Sequence, residues 1–538
     1  MAAGGSSAGS ASGGAVAAGH EETVRAAAEV LAEGGNAFDA ACAGIAAACV
    51  CEPVLASLGG GGFLLAEPAG GEARLYDFFV DTPGRRPGAR AGELDFEAVE
   101  ADFGTARQVF HIGLGATAVP GVPAGLETVA RELGRLPLAR SLAPAVALAR
   151  EGCALRPIDV AVAAVVAPIV TACDPLRDLH CGPGGDLRRS GEHLVQPALA
   201  ETLERLAREG AAPFYDGELA TRLAAFCREA GGQLTAVDLA GYRVRRRKPL
   251  AVEWAGAEIL TNGPPSHGGL LIAFALRLLE ETAPVGEEAR GGFGSRRQLE
   301  RLGRAMALTN RARVESGLAA AEAEASAEAA GAALLDPALV ARYRAELRGR
   351  PGVARGTTHL SVIDRAGNAA AASLSNGEGC GRVLPGSGIH LNNMLGEEDL
   401  NPLGFHAWPT GVRLGSMMAP TLARAADGAM LALGSGGSNR LRTAILQVLI
   451  NCLQHGMAPA AAVAAPRLHV EQGVQLEPGF EPAALEGLAG EGLAGLGRPT
   501  LWPAPNLFFG GVHLVRRDAR GRLEAAGDPR RGGAAAVV

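Results

Sequence analysis

The chain has 538 residues, 48% of them hydrophobic, and a formal net charge of -7. That is apolar content enough for a large core, in one very large domain or several ordinary ones. The acidic balance argues against a nucleic-acid partner, and the one dense basic run, Arg243-Val-Arg-Arg-Arg-Lys248, reads as the solvated edge of a strand.

Residues 1–14 are rich in Gly, Ser and Ala, carry no Lys or Arg, and lack the apolar stretch of a secretory signal. They read as a flexible tail on a cytoplasmic protein. Ala40 to Cys51 and Val160 to Cys173 are apolar but shorter than the roughly 20 residues that span a bilayer, so no membrane partner is expected. Nine cysteines without a C-x-x-C form neither a disulfide nor a zinc framework.

Residues 22–51 predict an amphipathic helix, a break at Gly34-Gly35-Asn36, and a second helix whose alanines allow close packing. Leu58 to Leu65 is a glycine turn into a strand. Its four consecutive glycines are followed by no Lys-Ser/Thr and no helix, so they indicate close backbone packing rather than a phosphate cradle. Leu75 to Val80 predicts another strand, 117–230 mostly helix, Arg243 to Trp254 and Glu258 to Thr261 strands, and about 270–282 a helix after Pro264-Pro265. The Ala/Glu-rich stretch from Val314 leads through Arg348-Gly-Arg-Pro-Gly-Val-Ala-Arg-Gly356, a polar approach to Thr357.

Thr358 to Asp364 and Ala369 to Ser375 predict two strands around the turn Arg365-Ala366-Gly367-Asn368. A hairpin symmetric about Ala366 pairs Asp364 with Asn368 and sets Thr357 opposite Ser375, where side chains share a face with Cβ atoms about 4.5 to 5.5 Å apart. A threonine hydroxyl is a poor nucleophile unless a base takes its proton, and a free α-amino group on the same residue, with a pKa of about 7.7 to 8.0, can be that base. Cleavage before Thr357 would create it. The glycines of Gly434-Ser435-Gly436-Gly437-Ser438 can present adjacent N–H groups to an oxyanion. These groups cover the catalytic roles without a metal or organic cofactor. His359 lacks an orienting carboxylate and reads as a core or hydrogen-bonding histidine.

The ordered motifs Gly34–Ala40, Gly59–Phe63, Ala118–Gly125, Phe214–Gly217, Pro264–Ser266, Gly356–His359, Gly388–Asn393, Ser416–Thr421, the Gly434 turn and Asp528–Ala534 resemble the γ-glutamyltransferase (glutathione hydrolase) family of N-terminal nucleophile hydrolases. The resemblance implies a four-layer αββα sandwich of the α/β class. One precursor would cut itself at Gly356/Thr357 into a large subunit, 15–356 behind the tail, and a small one, 357–538, which together remain one structural unit. It further implies that Thr357 attacks a γ-glutamyl amide, that Gly436 and Gly437 hold the oxyanion, and that the acyl group passes to water or to an amino-acid or peptide acceptor. Ser375 stands where the family has a second threonine.

Departures from the family pattern fall on substrate binding. Phe79 follows Asp77-Phe78 where an arginine usually clamps the α-carboxylate, a task suited to a bidentate guanidinium. Met394 replaces a glutamine, and Glu397 the aspartate that holds the α-amino group; Gly415 replaces one of two serines, leaving Ser416. The asparagine after the second threonine falls on Gly377, with Asn376 adjacent. Arg413 and Arg382 are candidates to replace the missing arginine. The weaker clamp favours hydrolysis over transfer. It also keeps open an amidase or acylase of the same fold with another acyl group, as in the family's cephalosporin acylases, with Phe79 lining an apolar pocket. A non-catalytic scaffold is the third reading.

Overall fold

The computed structural model describes residues 12–84, 93–102, 107–280, 292–321, 324–346, 357–401, 404–437, 440–471, 473–491 and 496–538. Gly356 and the approach to it, 347–356, lie outside the described residues, as do 1–11 of the expected tail. Gly14 is already in a strand, so the ordered chain starts within the segment read as tail: its N–H donates to the Val538 carbonyl.

Two antiparallel sheets face each other. The seven-stranded sheet runs Ala534–Val537, Gly14–Ala18, Thr358–Asp364, Ala369–Ser375, Gly61–Glu67, Arg74–Phe78, Arg245–Arg247. The six-stranded sheet runs Leu523–Ala526, Gly511–Arg517, Met430–Gly436, Thr421–Arg424, Ala257–Thr261, Leu250–Trp254.

Side-chain alternation along each strand builds the layers. Val16, Leu64, Leu360 and Val362 point outward, packing against the helices Glu21–Ala32, Ala37–Cys51, Leu138–Glu151 and Pro197–Glu209. Ala15, Ala17, Phe63, Ile363, Ala369 and Ala371 point inward and meet Leu260, Leu422, Ala432 and Val515 of the second sheet. The far side of the second sheet, with Ile259, Leu431, Leu433 and Leu514, is covered by Gly268–Leu279, Arg296–Glu315 and Arg440–Leu453. The result is the helix–sheet–sheet–helix sandwich that the family resemblance implies. The alanines of the inner face let the sheets approach closely.

The predicted helix break is a capping device. Asn36 Oδ1 accepts from the N–H of Phe38 and Asp39 while Asp39 accepts from the Asn36 N–H, starting the helix Ala37–Cys51. One expectation fails: Arg243 to Trp254 is not one strand. Arg245–Arg247 closes the edge of the first sheet and Leu250–Trp254 the edge of the second, with Pro249, which has no N–H to give a ladder, between them. The basic run is therefore an edge, with Arg247 paired to Asp77 and Arg246 to Glu132. No described helix is long and apolar enough to cross a membrane.

Candidate active site

The hairpin forms in the predicted register. Thr358 pairs with Leu374 and Ile363 with Ala369, and Asp364 closes the turn by donating to the Asn368 carbonyl. Gly367 takes φ +93°, and Asn368 donates backbone and side-chain N–H groups to the Asp364 carboxylate, which fixes the register at the turn. Continuing the ladder by one step sets Thr357 opposite Ser375, both buried.

Alternation places Thr357 on the face of His359 and Ser361, toward the second sheet. There His359 bridges Ser373 and Ser361 through its two ring nitrogens, at 2.8 and 2.9 Å, and Ser361 donates to the His513 carbonyl. Burial holds the His359 pKa well below 6.5, so the ring is a neutral structural bridge, as expected of a core histidine. Thr358 faces the other way and donates to Glu52, at the end of the helix Ala37–Cys51.

The glycine turn lies directly above. A methyl group on Gly434 would sit 2.3 Å from the His359 ring, and one on Gly436 2.2 Å from the Thr357 carbonyl oxygen. Only glycine lets this strand approach the hairpin. Gly437 follows at φ +117°, outside what an L side chain accepts readily. Ser435 Oγ donates to the Gly436 carbonyl and accepts from Gly511, holding the turn against the neighbouring strand. The run Gly59–Gly62 does pack backbone on backbone: side chains at Gly60 and Gly62 would strike the Ser375 and Ser373 carbonyls at 2.5 Å.

Glu397 comes within reach of this group through Gly377, where an added methyl would lie 2.5 Å from Glu397 Oε1; Gly377 N–H in turn donates to Ser375 Oγ. Asn376 is turned elsewhere, with its N–H on the Leu55 carbonyl and its side chain against Gly60. The contacts of Ser416 are with Met418, His267 and Gly268 rather than with the hairpin. Phe79 stacks on Phe63 in the core between the sheets, rings 5.5 Å apart, and so does not line an open apolar pocket.

Neither candidate arginine is available as a clamp. Arg413 is fully buried, paired with Asp77 and Asp81, and also donates to the carbonyls of Asp77, Phe79 and Arg243. Arg382 grips Asp95 with two bonds.

A cavity opens beside Thr357 and Gly436, walled by Val54, Leu55, Val162 and Leu194, with Glu52 and Arg531 also on its lining. Sequence reasoning missed both charged groups. Burial raises the Glu52 pKa above its ordinary value, against the opposing pull of His20 and Arg156. Nearby, His20, Cys51 and Cys153 place possible metal-ligand atoms within 4.8 Å of one another. However, burial lowers the His20 pKa but Asp159 and Cys153 outweigh it and raise it to about 9, so Nε2, which faces both at 3.7 Å, carries a proton. That nitrogen has no lone pair for an ion.

Comparison with known proteins agrees with this architecture. The family model described as gamma-glutamyltranspeptidase matches residues 23–538. The chain is 31% identical over 499 residues to the Acylase ACY 1 proenzyme of Pseudomonas sp. strain SE83, covering 88% of this chain and 85% of that one. It is 29% identical over 549 residues to the glutathione hydrolase proenzyme of Escherichia coli K12, covering 93% and 88%. Among solved structures, the cephalosporin acylase of Bacillus halodurans superposes with a TM-score of 0.80 at 25% identity, covering 98% of this chain and 96% of that one. With a family model spanning nearly the whole chain and the hairpin and glycine turn brought together, this protein belongs to the γ-glutamyltranspeptidase family of N-terminal nucleophile hydrolases.

Proposed function

We propose that the protein is an autoprocessed amidohydrolase that cleaves γ-glutamyl-type amides through an acyl-enzyme on Thr357. The observation that carries this is the ladder register that sets Thr357 beside Ser375, with Gly436 packed on the Thr357 carbonyl. Cleavage of the Gly356–Thr357 bond frees an α-amine, which takes the Thr357 Oγ proton as that oxygen attacks the substrate carbonyl. Ser375, across the ladder, orients the amine and Oγ. The N–H groups of Gly436 and Gly437 stabilise the oxyanion, each donor being worth roughly 10²- to 10³-fold in rate. Collapse expels the amine with the proton held on the α-amino group, and water then attacks the ester by the same route in reverse.

Glu397, standing against Gly377, is the group to receive a donor's ammonium. Water is the main acceptor, and an amino acid or peptide the minor one, because the clamp that orders both substrates is incomplete.

An acylase reading has a specific observation in its favour: Phe79, in the arginine's place, is packed away, and Arg413 and Arg382 are held by carboxylates. The test is intact mass of the wild type beside Thr357→Ala, with assay on γ-glutamyl and glutaryl p-nitroanilides. Two fragments divided at Gly356/Thr357 with nitroaniline released from the γ-glutamyl compound support the first reading. Release only from the glutaryl compound moves the assignment to an acylase, and an uncut, inactive wild type sinks both.

A further inference from the structure

Arg531, partly buried, differs from the residues on either side of it in the same cluster of charges. Its neighbours in the chain are saturated: Arg530 pairs with Glu477 and Asp528, and Asp528 is further taken by Arg467. The Arg531 guanidinium has no carboxylate within ion-pair distance among the described residues; its Nε has no partner, and Nη2 makes one long contact, 3.4 Å, to the Leu507 carbonyl. Its stem lies over Gly511, where a side chain would strike Cδ at 2.6 Å, and this directs the head toward the glycine turn. A methyl on Gly437 would be 3.0 Å from Nη2 and one on Gly436 3.4 Å from Nη1. The same guanidinium lines the cavity that Thr357 opens into. Burial lowers its pKa to about 10, partly offset by Asp528 and Glu52, so it remains a cation, with no carboxylate in direct contact with it among the described residues.

We propose that Arg531 forms a carboxylate-binding subsite beside the nucleophile and makes the enzyme specific for amides that carry a second, anionic group. This rests on Thr357 being the nucleophile. A guanidinium left without a buried carboxylate partner is a costly arrangement that an anionic ligand relieves through paired N–H bonds. The position of Arg531 supplies what the Phe79 exchange removes, from the opposite end of the chain. The carboxylate belongs either to the acyl group, as in a glutaryl or glutamyl donor, or to the amine that leaves or accepts. Both are the same chemistry at the guanidinium, and substrates separate them.

The test uses mature wild type, Arg531→Gln and Arg531→Lys, each first checked for the same cleavage pattern and a Tm close to wild type. Glutarate binding is measured by calorimetry, since glutarate needs no turnover. The expected result is binding at least about tenfold weaker in Arg531→Gln, with Arg531→Lys between. Equal affinity in wild type and Arg531→Gln, or no binding to wild type, overturns the subsite. KM is then compared for glutaryl p-nitroanilide, butyryl p-nitroanilide and butyryl 4-aminobenzoate. A rise confined to the glutaryl compound assigns the carboxylate to the acyl group, and one confined to the aminobenzoate assigns it to the amine. A uniform fall in kcat with unchanged KM overturns the proposal and makes Arg531 an oxyanion group. A wild type that binds glutarate through Arg531 but hydrolyses nothing upholds the subsite and removes the Thr357 reading instead.

Discussion

Gly377 and Glu397 occupy each other's space: a methyl group on Gly377 would lie 2.5 Å from Glu397 Oε1 and 2.0 Å from Asn393 Oδ1. The family pattern has an asparagine and a shorter aspartate at these two positions. The longer acid here reaches into room that the missing side chain leaves, so the two departures are one compensated exchange.

Gly377→Asn on its own should therefore displace Glu397 and Asn393 and reduce kcat/KM for an ammonium-bearing donor at least tenfold. Overpacking of this kind costs about 1 to 3 kcal/mol. Gly377→Asn with Glu397→Asp should recover most of the loss. Kinetics on γ-glutamyl p-nitroanilide and Tm of the single and double variants check this, and additive losses would refute the coupling.

Gly436→Ala places its methyl 2.2 Å from the Thr357 carbonyl oxygen. The expected outcome is a precursor that folds but cuts slowly, with any mature fraction lowered about 10²-fold or more in kcat. Timed intact-mass spectra after purification would show it, and normal maturation would contradict the close approach.

Arg413→Met should be among the most damaging single changes in the chain. It leaves Asp77 with Arg247 and Asp81 with the more distant Arg245 as their remaining cations, and takes a donor from the Asp77, Phe79 and Arg243 carbonyls. Breaking a buried pair by removing one partner costs about 3 to 5 kcal/mol. Denaturant midpoints measure it, and Arg413→Lys should rescue little because one ammonium cannot span the same fork.

Acid should destabilise the protein before its carboxylates titrate. Burial depresses His267 and His390 to about 3 and His180 and His513 to about 4, from an ordinary 6.5. The unfolded chain then binds more protons than the folded one below pH 6.5, so stability falls as pH drops from 6.5 toward 4 and the loss levels off below about 3. A series of Tm values from pH 7.5 to 4.5 should show a continuous decline, shallower in His180→Leu. A flat profile over that window would be incompatible with four neutral buried rings.

Local patterns carried much of this into the sequence. The hairpin register was readable because a turn with a glycine and an asparagine fixes one pair and a period of two fixes the rest. The break at Gly34-Gly35-Asn36 was readable because glycines end a helix locally, and the Asn36 hydrogen bonds that start the next one span only three residues. The task of Arg413 was not, since its partners Asp77 and Arg243 are far away in the chain and only the fold brings them together. Arg531 was hidden for a related reason: what distinguishes it from Arg530 is the carboxylates it lacks, and a dipeptide of two arginines shows no difference between them. The single strand expected over Arg243 to Trp254 missed that a proline between two β-prone runs can hand the chain from one sheet to another.

The sheet order also governs what a cut at Thr357 can do. The strand Gly14–Ala18 is laced between Ala534–Val537 and Thr358–Asp364, while Gly61–Glu67 is bonded to Ala369–Ser375 and Ala257–Thr261 to Thr421–Arg424. Every one of these seams joins chain from before the cut to chain from after it. Severing the backbone therefore creates new ends without creating a separable piece: the halves are interwoven, not docked. Two polypeptides expressed apart would each lack neighbours for their central strands, and activity should return only when they fold in each other's presence.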